Sequence, residues 1–518
     1  MIDILWNHCS INSEWILEEP SCYFSPKNTP QLGAAFELDE LMYKLSENFQ
    51  ALNVTERGQI NTMDDVNKVI NFIQREIIGP MNIREYFFID VKKLIDNLMK
   101  AYAETEEKEY LERMQTDSMD LIFVENSEYE LMKKQMKNFG KSPNGVEIDI
   151  QWLKHYLMNR FLKLNNREVA KLFRHINYQM ALKVDGWIDE LTCNIRDEII
   201  YRFLKCNKNT VSTSYALISR YFYTLSNGDA AALNGYVSGY AANEDFTTSQ
   251  EQYYLRRKVI IWSDLIKLNY QTQDKCSKLW NRMNEYTTKM ALIFDGFRLD
   301  NFHNTNIQTA KYFINNAIQT NESLYLLSEL FTDSPVTDAN YCLRVGVHRL
   351  VREFQNCYSL HDIIEFINFY SAETTNQITY IPPLFKNNYE ISYLKPVKPL
   401  AILYDQTHDN SSFFEKFNIQ MQLPLVAIAS FQSLMIGTVR GCDELFMHHI
   451  PVTSTRRYPR IKSLPFKVAN RDQRILFLVA PIDLGDFIRK TGGQCFQDRF
   501  SRNVQQLEAK PHGESSRR

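Results

Sequence analysis

Ile293-Phe294-Asp295-Gly296-Phe297-Arg298-Leu299-Asp300 decides how this chain is read. The run predicts a buried strand that ends on a carboxylate. Two later segments repeat the pattern. Ser323-Leu324-Tyr325-Leu326-Leu327 reads as a strand with Glu329 just beyond it, and Leu400-Ala401-Ile402-Leu403-Tyr404 reads as another, followed by His408 and Asp409. Helices are predicted between them, over Ile307 to Thr320 and Leu343 to Phe354, and a last strand is expected near Gly437. Such alternation predicts an α/β chain with a parallel barrel or a doubly wound sheet. Acidic residues just past buried strands lie where a β/α barrel keeps its reactive groups.

Working outward, Ile2-Asp3-Ile4-Leu5-Trp6-Asn7-His8 is a short β-rich run followed by polar groups. Helical patterns come next. Leu38, Leu41, Met42, Leu45 and Phe49 share one face. Val66, Ile70, Ile73 and Ile77 share another, with Asp64 or Asp65 as cap and Gly79-Pro80 as stop. Asp90 is expected to cap a third helix carrying Val91, Leu94, Ile95 and Leu98. Residues 101–225 read as mostly helical and charged, with faces formed by Trp152, Leu153, Tyr156, Leu157 and Phe161 and by Ile188, Leu191, Ile195 and Ile199. Asn227 to Gln250, rich in Gly, Ala, Asn and Ser, reads as loop, and a helix is expected from about Glu251 to Leu268. The resulting division is 1–30 for a first strand and its loop, 31–250 for a mainly helical insertion, 251–470 for the remaining strand–helix units, and 471–518 for an atypical, poorly ordered tail.

Composition narrows the class. The 518 residues are enough for two or three domains, or for one barrel with a large insertion. A net charge of −3 implies no nucleic-acid partner. Nine cysteines without a pairwise frame or a C-x-x-C are expected to be free thiols in a reducing cytosol. The first apolar stretch is broken by Asp3 and His8, so no leader peptide is expected. The longest apolar run, Leu423 to Gly437, is interrupted by Ser430, Gln432 and Ser433 and is too short to span a bilayer. No metal or other cofactor is expected, because neither H-x-x-H nor a carboxylate cage stands out. The 13% of aromatic residues reads first as a large core, with sugar-stacking platforms as the sharper alternative.

Two carboxylates with a third acidic helper are the chemistry of glycoside cleavage with retention. Arg298 lies two residues before Asp300, on the same side of a strand, so it can pair with Asp300 and keep it ionised. The alternative is an exposed acidic turn. Glu329 would need an apolar surrounding to start protonated as a general acid. Its alternative is a cap on the next helix. Asp3, Asn7 and His8 could serve a hydroxylated ligand, or simply form a polar turn.

The order of these segments is more specific than any one of them. Asp3 to His8, then Gly296 to Asp300, then Glu329, then His408-Asp409 resembles the four signature regions of the alpha-amylase superfamily. Ile293 to His303, Glu329-Leu330-Phe331-Thr332, Thr407 to Asn410, Asn234-Gly235-Tyr236-Val237, Tyr254-Leu255-Arg256-Arg257, Thr438 to Leu445 and Asn12 to Trp15 are similar to eukaryotic glycogen debranching enzymes. The resemblance covers roughly residues 1–470. It implies a (β/α)8 barrel of the triosephosphate-isomerase type, incomplete at its N-terminus. The implied activity is 4-alpha-glucanotransferase, which moves short α-1,4 maltosaccharides. Asp300 would be the nucleophile, Glu329 the acid/base and Asp409 the group that clamps the sugar hydroxyls. Arg298 would orient Asp300, His8 and His408 would touch the sugar, and Asp3 and Asn7 would brace the floor. His303, Asn234, Arg256, Arg257, Trp262, Asp264 and Arg440 would serve flanking subsites. The implied partners are glycogen, branched alpha-glucan and malto-oligosaccharides in the cytoplasm, with neither nucleic acid nor membrane; the implication does not extend to oligomeric state.

The chain also departs from that pattern. Two barrel strands and an N-terminal domain expected before Asp3, and the half carrying amylo-alpha-1,6-glucosidase, fall outside it, as in a fragment. Cys9 stands for an expected Thr, Asp333 and Ser263 for Gly, and Cys442 for Tyr. An open barrel exposes sheet edges, so the chain alone is expected to be weakly stable and slow.

Overall fold

The computed structural model describes residues 1–105, 112, 126–137, 139–141, 145–160, 165–206, 208–238, 240, 245–271, 273–274, 276–330, 332, 335–353, 359, 361–362, 400–403 and 435–437. The chain divides into two compact units, Met1–Arg352 with Ile391–Ala401, and Glu353–Glu390 with Ile402–Arg518. Strands form at Leu400–Leu403 and Met435–Gly437, where the sequence placed them. Asp333, His408, Asp409, Arg440, Cys442 and the tail from 471 lie outside the described residues.

Four strands of the first unit form a parallel sheet in the order β1 (Ile2–Ile4), β6 (Gly296–Leu299), β7 (Tyr325–Ser328) and β8 (Arg349–Glu353). The pairing is in register: Asp3 lies opposite Arg298, Arg298 opposite Leu327, and Leu299 opposite Ser328. β6 is fully buried and almost continuously apolar, as expected of a parallel strand covered on both faces. Helix α6 (Ser277–Ile293) leads into β6, and α7 (Ile307–Thr320) joins β6 to β7. α7 spans the predicted range and starts at Asn306, whose side chain accepts from the Gln308 N–H. The aromatic residues here form core: Trp6 packs on Phe313 at 5.3 Å and donates its indole N–H to Thr287 at 2.9 Å.

The last predicted helix of this region is corrected. Helix α8 occupies Pro335–Val345 and stops at Gly346, which has φ +85°, a value that favours glycine. Arg349–Glu353 then pairs with β7 as a strand. An open parallel edge captured a segment whose own periodicity suited a helix.

A second sheet is antiparallel, in the order β2 (His8–Ser10), β5 (Ile260–Lys267), β4 (Ala230–Tyr236) and β3 (Phe222–Thr224). It overturns two expectations, the loop over 227–250 and the helix over 251–268. β4 carried no alternation because both its faces are buried, from Ala231 to Gly235. Small residues let the neighbouring backbone approach. A Cβ on Gly235 would sit 2.3 Å from the Ile260 carbonyl oxygen. In the second case Gln252 and Arg257 have positive φ and break any helix before Ile260. The last helical turn before β3 ends at Lys205.

Between β2 and β3 the described residues include the helices α1 (Gly33–Asn48), α2 (Met63–Ile73), α3 (Val91–Ala103), α4 (Ile150–Arg160) and α5 (Asn166–Ile199). Asp90 caps α3 through the Lys93 N–H. For α2 the cap is Thr62, with Asp65 returning the bond in a capping box. Gly79-Pro80 does not end that helix. A π turn, Gln74–Ile78, comes first, and Pro80 sits early in the next turn, where its missing N–H is not needed. Asn82, with φ 47°, ends it. Among the described residues no helix is long and apolar enough to cross a membrane.

Candidate active site

The β1–β6 and β6–β7 registers place the polar groups before any side chain is considered. Asp3 and Arg298 are paired positions, so they share a face, and Asp300 lies two residues on from Arg298 on that same face. The ladder continues past the strand ends. The Asp300 N–H donates to the Ile4 carbonyl at 3.0 Å and the Glu329 N–H to the Leu299 carbonyl at 2.9 Å. Asp300 and Glu329 therefore leave adjacent parallel strands side by side at the C-terminal ends.

Arg298 joins them. Its guanidinium donates to Asp300 Oδ1 at 2.6 Å, meets Glu329 Oε1 at 3.3 Å and lies 3.7 Å from Asp3 Oδ1. The Arg298 side chain is only 10% exposed. Burial opposes its charge, but Glu329 and Asp300 more than offset this, so its pKa stands above the usual arginine value. Glu329 also accepts from the Asn301 N–H at 2.8 Å. The apolar surrounding expected for Glu329 is thus replaced by a backbone donor and an ion-pair partner, both suited to a carboxylate. Once Arg298 has been buried for the neighbouring strand, it reaches both acids.

The turn after Asp300 is held from several sides. Asn301 has φ 50°, a left-handed conformation that asparagine tolerates, and Phe302–Asn304 make one tight turn. The Asn7 amide donates to the Asn301 carbonyl at 2.6 Å and to Thr305 Oγ1 at 3.0 Å. The carbonyl can only accept, so the nitrogen of that amide is fixed there and its oxygen faces His8. His8 Nδ1 lies 2.6 Å from that oxygen, so Nδ1 donates to it. Asn234 approaches the same Nδ1 at 3.1 Å. Tyr341 donates to the Phe302 carbonyl at 3.2 Å, and Phe302 N–H to the Glu329 carbonyl at 3.0 Å.

The second sheet lines one side. Trp262 stands 6.4 Å from the His8 ring, and Tyr236 meets buried His303 edge-on at 5.1 Å. Asp3, Asn7, His8, Asn234, Trp262, Arg298, Asp300 and Glu329 are in this way linked through one set of contacts, and His303 lies in the turn that follows Asp300. Asp264 is half-buried on β5, where its carbonyl accepts from the Ile11 N–H.

Arg256 and Arg257 do not join the cluster. Arg256 pairs with Glu190 at 2.5 Å. Arg257, with 2% of its side chain exposed, lies 4.0 Å from the Tyr221 ring, 3.3 Å from Glu198 and 3.7 Å from Asp39. They tie the long helix α5 and helix α1 to the second sheet. Two adjacent arginines carry no signal that separates a sugar contact from a buried ion pair; only burial does.

Sequence reasoning missed Asn301, Thr305, Tyr236, Tyr341 and Lys267, all of which touch this region. Lys267 did leave a trace. It interrupts the apolar run Leu265-Ile266-Lys267-Leu268, and a lysine there must be paired inside the fold.

Residues 1–325 match the family model described as glycogen debranching enzyme, glucanotransferase domain. The chain belongs to that family. The matched stretch holds Asp3, Asn7, His8, Arg298 and Asp300 and stops just short of Glu329. Over 502 residues the chain is 26% identical to the glycogen debranching enzyme of Saccharomyces cerevisiae, covering 88% of this chain and 32% of that protein. It therefore spans about a third of that relative's length. Two α-amylase structures overlap it weakly. The enzyme from Geobacillus thermoleovorans, complexed with acarbose, has a TM-score of 0.28 at 14% identity, over 45% of this chain and 48% of its own. The enzyme from Malbranchea cinnamomea has a TM-score of 0.26 at 12% identity, over 39% and 38%.

Proposed function

We propose that this chain carries the 4-alpha-glucanotransferase centre of a glycogen debranching enzyme, on a β/α barrel to which the four parallel strands belong. The observation that supports it best is one guanidinium, Arg298, contacting Asp300 at 2.6 Å and Glu329 at 3.3 Å at the ends of adjacent parallel strands. Asp300, kept ionised by Arg298, attacks the anomeric carbon of an α-1,4 glucan. Glu329, in its protonated form, gives its proton to the departing glycosidic oxygen and becomes the carboxylate that Arg298 and the Asn301 N–H suit. The resulting glycosyl-enzyme is opened by a hydroxyl of a second glucan, whose proton returns to Glu329, so the configuration is retained. A bound acceptor outcompetes water through its high effective concentration.

In this reading Asp409 clamps the distorted sugar, His8 and His408 touch it, and Asp3 and Asn7 support the floor. Tyr236, Trp262, Asn234 and His303 form a flanking subsite. Residues 1–30 and 251–470 supply the barrel, and glycogen in the cytoplasm is the substrate.

The test is disproportionation of maltopentaose, followed by product chromatography. The chain should convert it to shorter and longer malto-oligosaccharides in step, and Asp300→Asn should remove at least ~10⁴-fold of that rate. Transfer that persists in Asp300→Asn would place the nucleophile elsewhere. Maltose released without longer products would identify a hydrolase.

A further inference from the structure

Lys267 is the last residue of β5 and is 1% exposed. It is paired in register with His8, so both side chains project from the same face of the second sheet. That face meets the turn behind Asp300. His8 reaches it through Asn7, as described above. Lys267 reaches it directly, donating from Nζ to the Asn304 carbonyl at 3.1 Å. Asn304 is tied to the same sheet a second time, its amide donating to the Gly235 carbonyl at 2.6 Å.

Among the described residues the ammonium has one charged neighbour, Asp245 Oδ2 at 3.3 Å, and one aromatic neighbour, the Phe246 ring at 4.5 Å. Asp245 is itself fixed, accepting from the Thr247 N–H at 2.9 Å. Burial pulls the Lys267 pKa down and Asp245 opposes that pull. Packing alone does not call for this arrangement. An apolar side chain of similar volume would fill the space without a buried charge to compensate. An ammonium does one thing that such a side chain cannot: it holds a carbonyl at a set distance.

We propose that Lys267, oriented by Asp245, is a positioning residue for the transfer reaction: by gripping the Asn304 carbonyl it fixes the 301–305 turn, and with it Asp300, Glu329 and His8 relative to one another. This rests on the transferase reading above, in which those three residues carry the chemistry. Lys267 touches no substrate. It acts through the turn whose Asn301 N–H holds Glu329 and whose Asn301 carbonyl orients Asn7.

The experiment compares the whole chain with Lys267→Met, and with Lys267→Met/Asp245→Asn, which leaves no unpaired carboxylate if the single variant fails to fold. Two readouts are taken: kcat and KM for maltopentaose transfer, and amide hydrogen exchange of residues 301–305 against α5. The expected result is a fall in kcat of about 100-fold, as a displacement of about 1 Å at reacting groups produces, with KM changed less than about threefold. Exchange should quicken at 301–305 while α5 keeps its protection. Unchanged exchange at 301–305, or equal loosening of α5, overturns the proposal, as does a kcat within about threefold of the parent. If the parent shows no transfer, the transferase reading fails on its own account, and exchange alone still decides whether Lys267 fixes the turn.

Discussion

Replacing Arg298 by Met removes the guanidinium and keeps most of the aliphatic stem. Three contacts are lost, to Asp300 at 2.6 Å, Glu329 at 3.3 Å and Asp3 at 3.7 Å. Asp3 is 51% exposed, so water screens its share to almost nothing. Asp300 and Glu329 are each 14% exposed; the bond to Asp300 contributes about 1.5–3 kcal/mol, and the contact with Glu329 is an ion pair without hydrogen-bond geometry. Removing one partner from a buried ionic cluster typically costs about 3–5 kcal/mol in all. Arg298 stays charged, its pKa raised by Glu329 and Asp300 against the pull of burial. Urea unfolding should therefore show Arg298→Met about 3–5 kcal/mol less stable at pH 7.5. The rate of maltopentaose transfer should fall by about 10²–10³ at neutral pH, because Asp300 loses the guanidinium that holds its carboxylate in place. A stability loss under about 1 kcal/mol at pH 7.5 would refute the clamp.

Gly235→Ala should cost about 3 kcal/mol in urea unfolding, because its Cβ would meet the Ile260 carbonyl oxygen at 2.3 Å and Val259 Cγ1 at 2.7 Å; a loss below about 1 kcal/mol would mean that β4 and β5 are not so closely apposed. Iodoacetamide at pH 8, followed by peptide mapping, should label exposed Cys193 and Cys206 but not Cys9 or Cys22, whose thiols burial pushes up to about 12. The thiolate fraction at that pKa predicts reaction roughly three orders of magnitude slower than for an ordinary thiol. Comparable labelling of all four would show that the β2 region is open.

Local sequence was sufficient where one chemical rule governed one stretch. Arg298 and Asp300 could be paired on paper because two residues on a strand return to the same side, and α7 could be bounded because Asn306 starts it and its apolar spacing is unbroken. The alternation of strand and helix from Ile293 to Ser328 was legible for the same reason. Glu329 could be named but its surroundings could not, because the Asn301 N–H and the Arg298 guanidinium come to it from the neighbouring strand's end.

The second sheet was illegible because its determinants are non-local. β4 is small and buried on both faces, so no period marks it, and β5 mimics a helical spacing until Gln252 and Arg257 take positive φ and β2 and β4 claim its backbone. Arg257 and Arg298 are buried alike, and only their partners separate them: Asp39 and Glu198 for Arg257, Asp300 and Glu329 for Arg298. The sequence by itself determined which acids exist, their order, and the strands that end on them. Only the tertiary structure decided which groups surround those acids. Charge and hydrogen-bond partners depend on distances between segments as far apart in sequence as Asn7 and Asn301, and those distances exist only once the two sheets have packed.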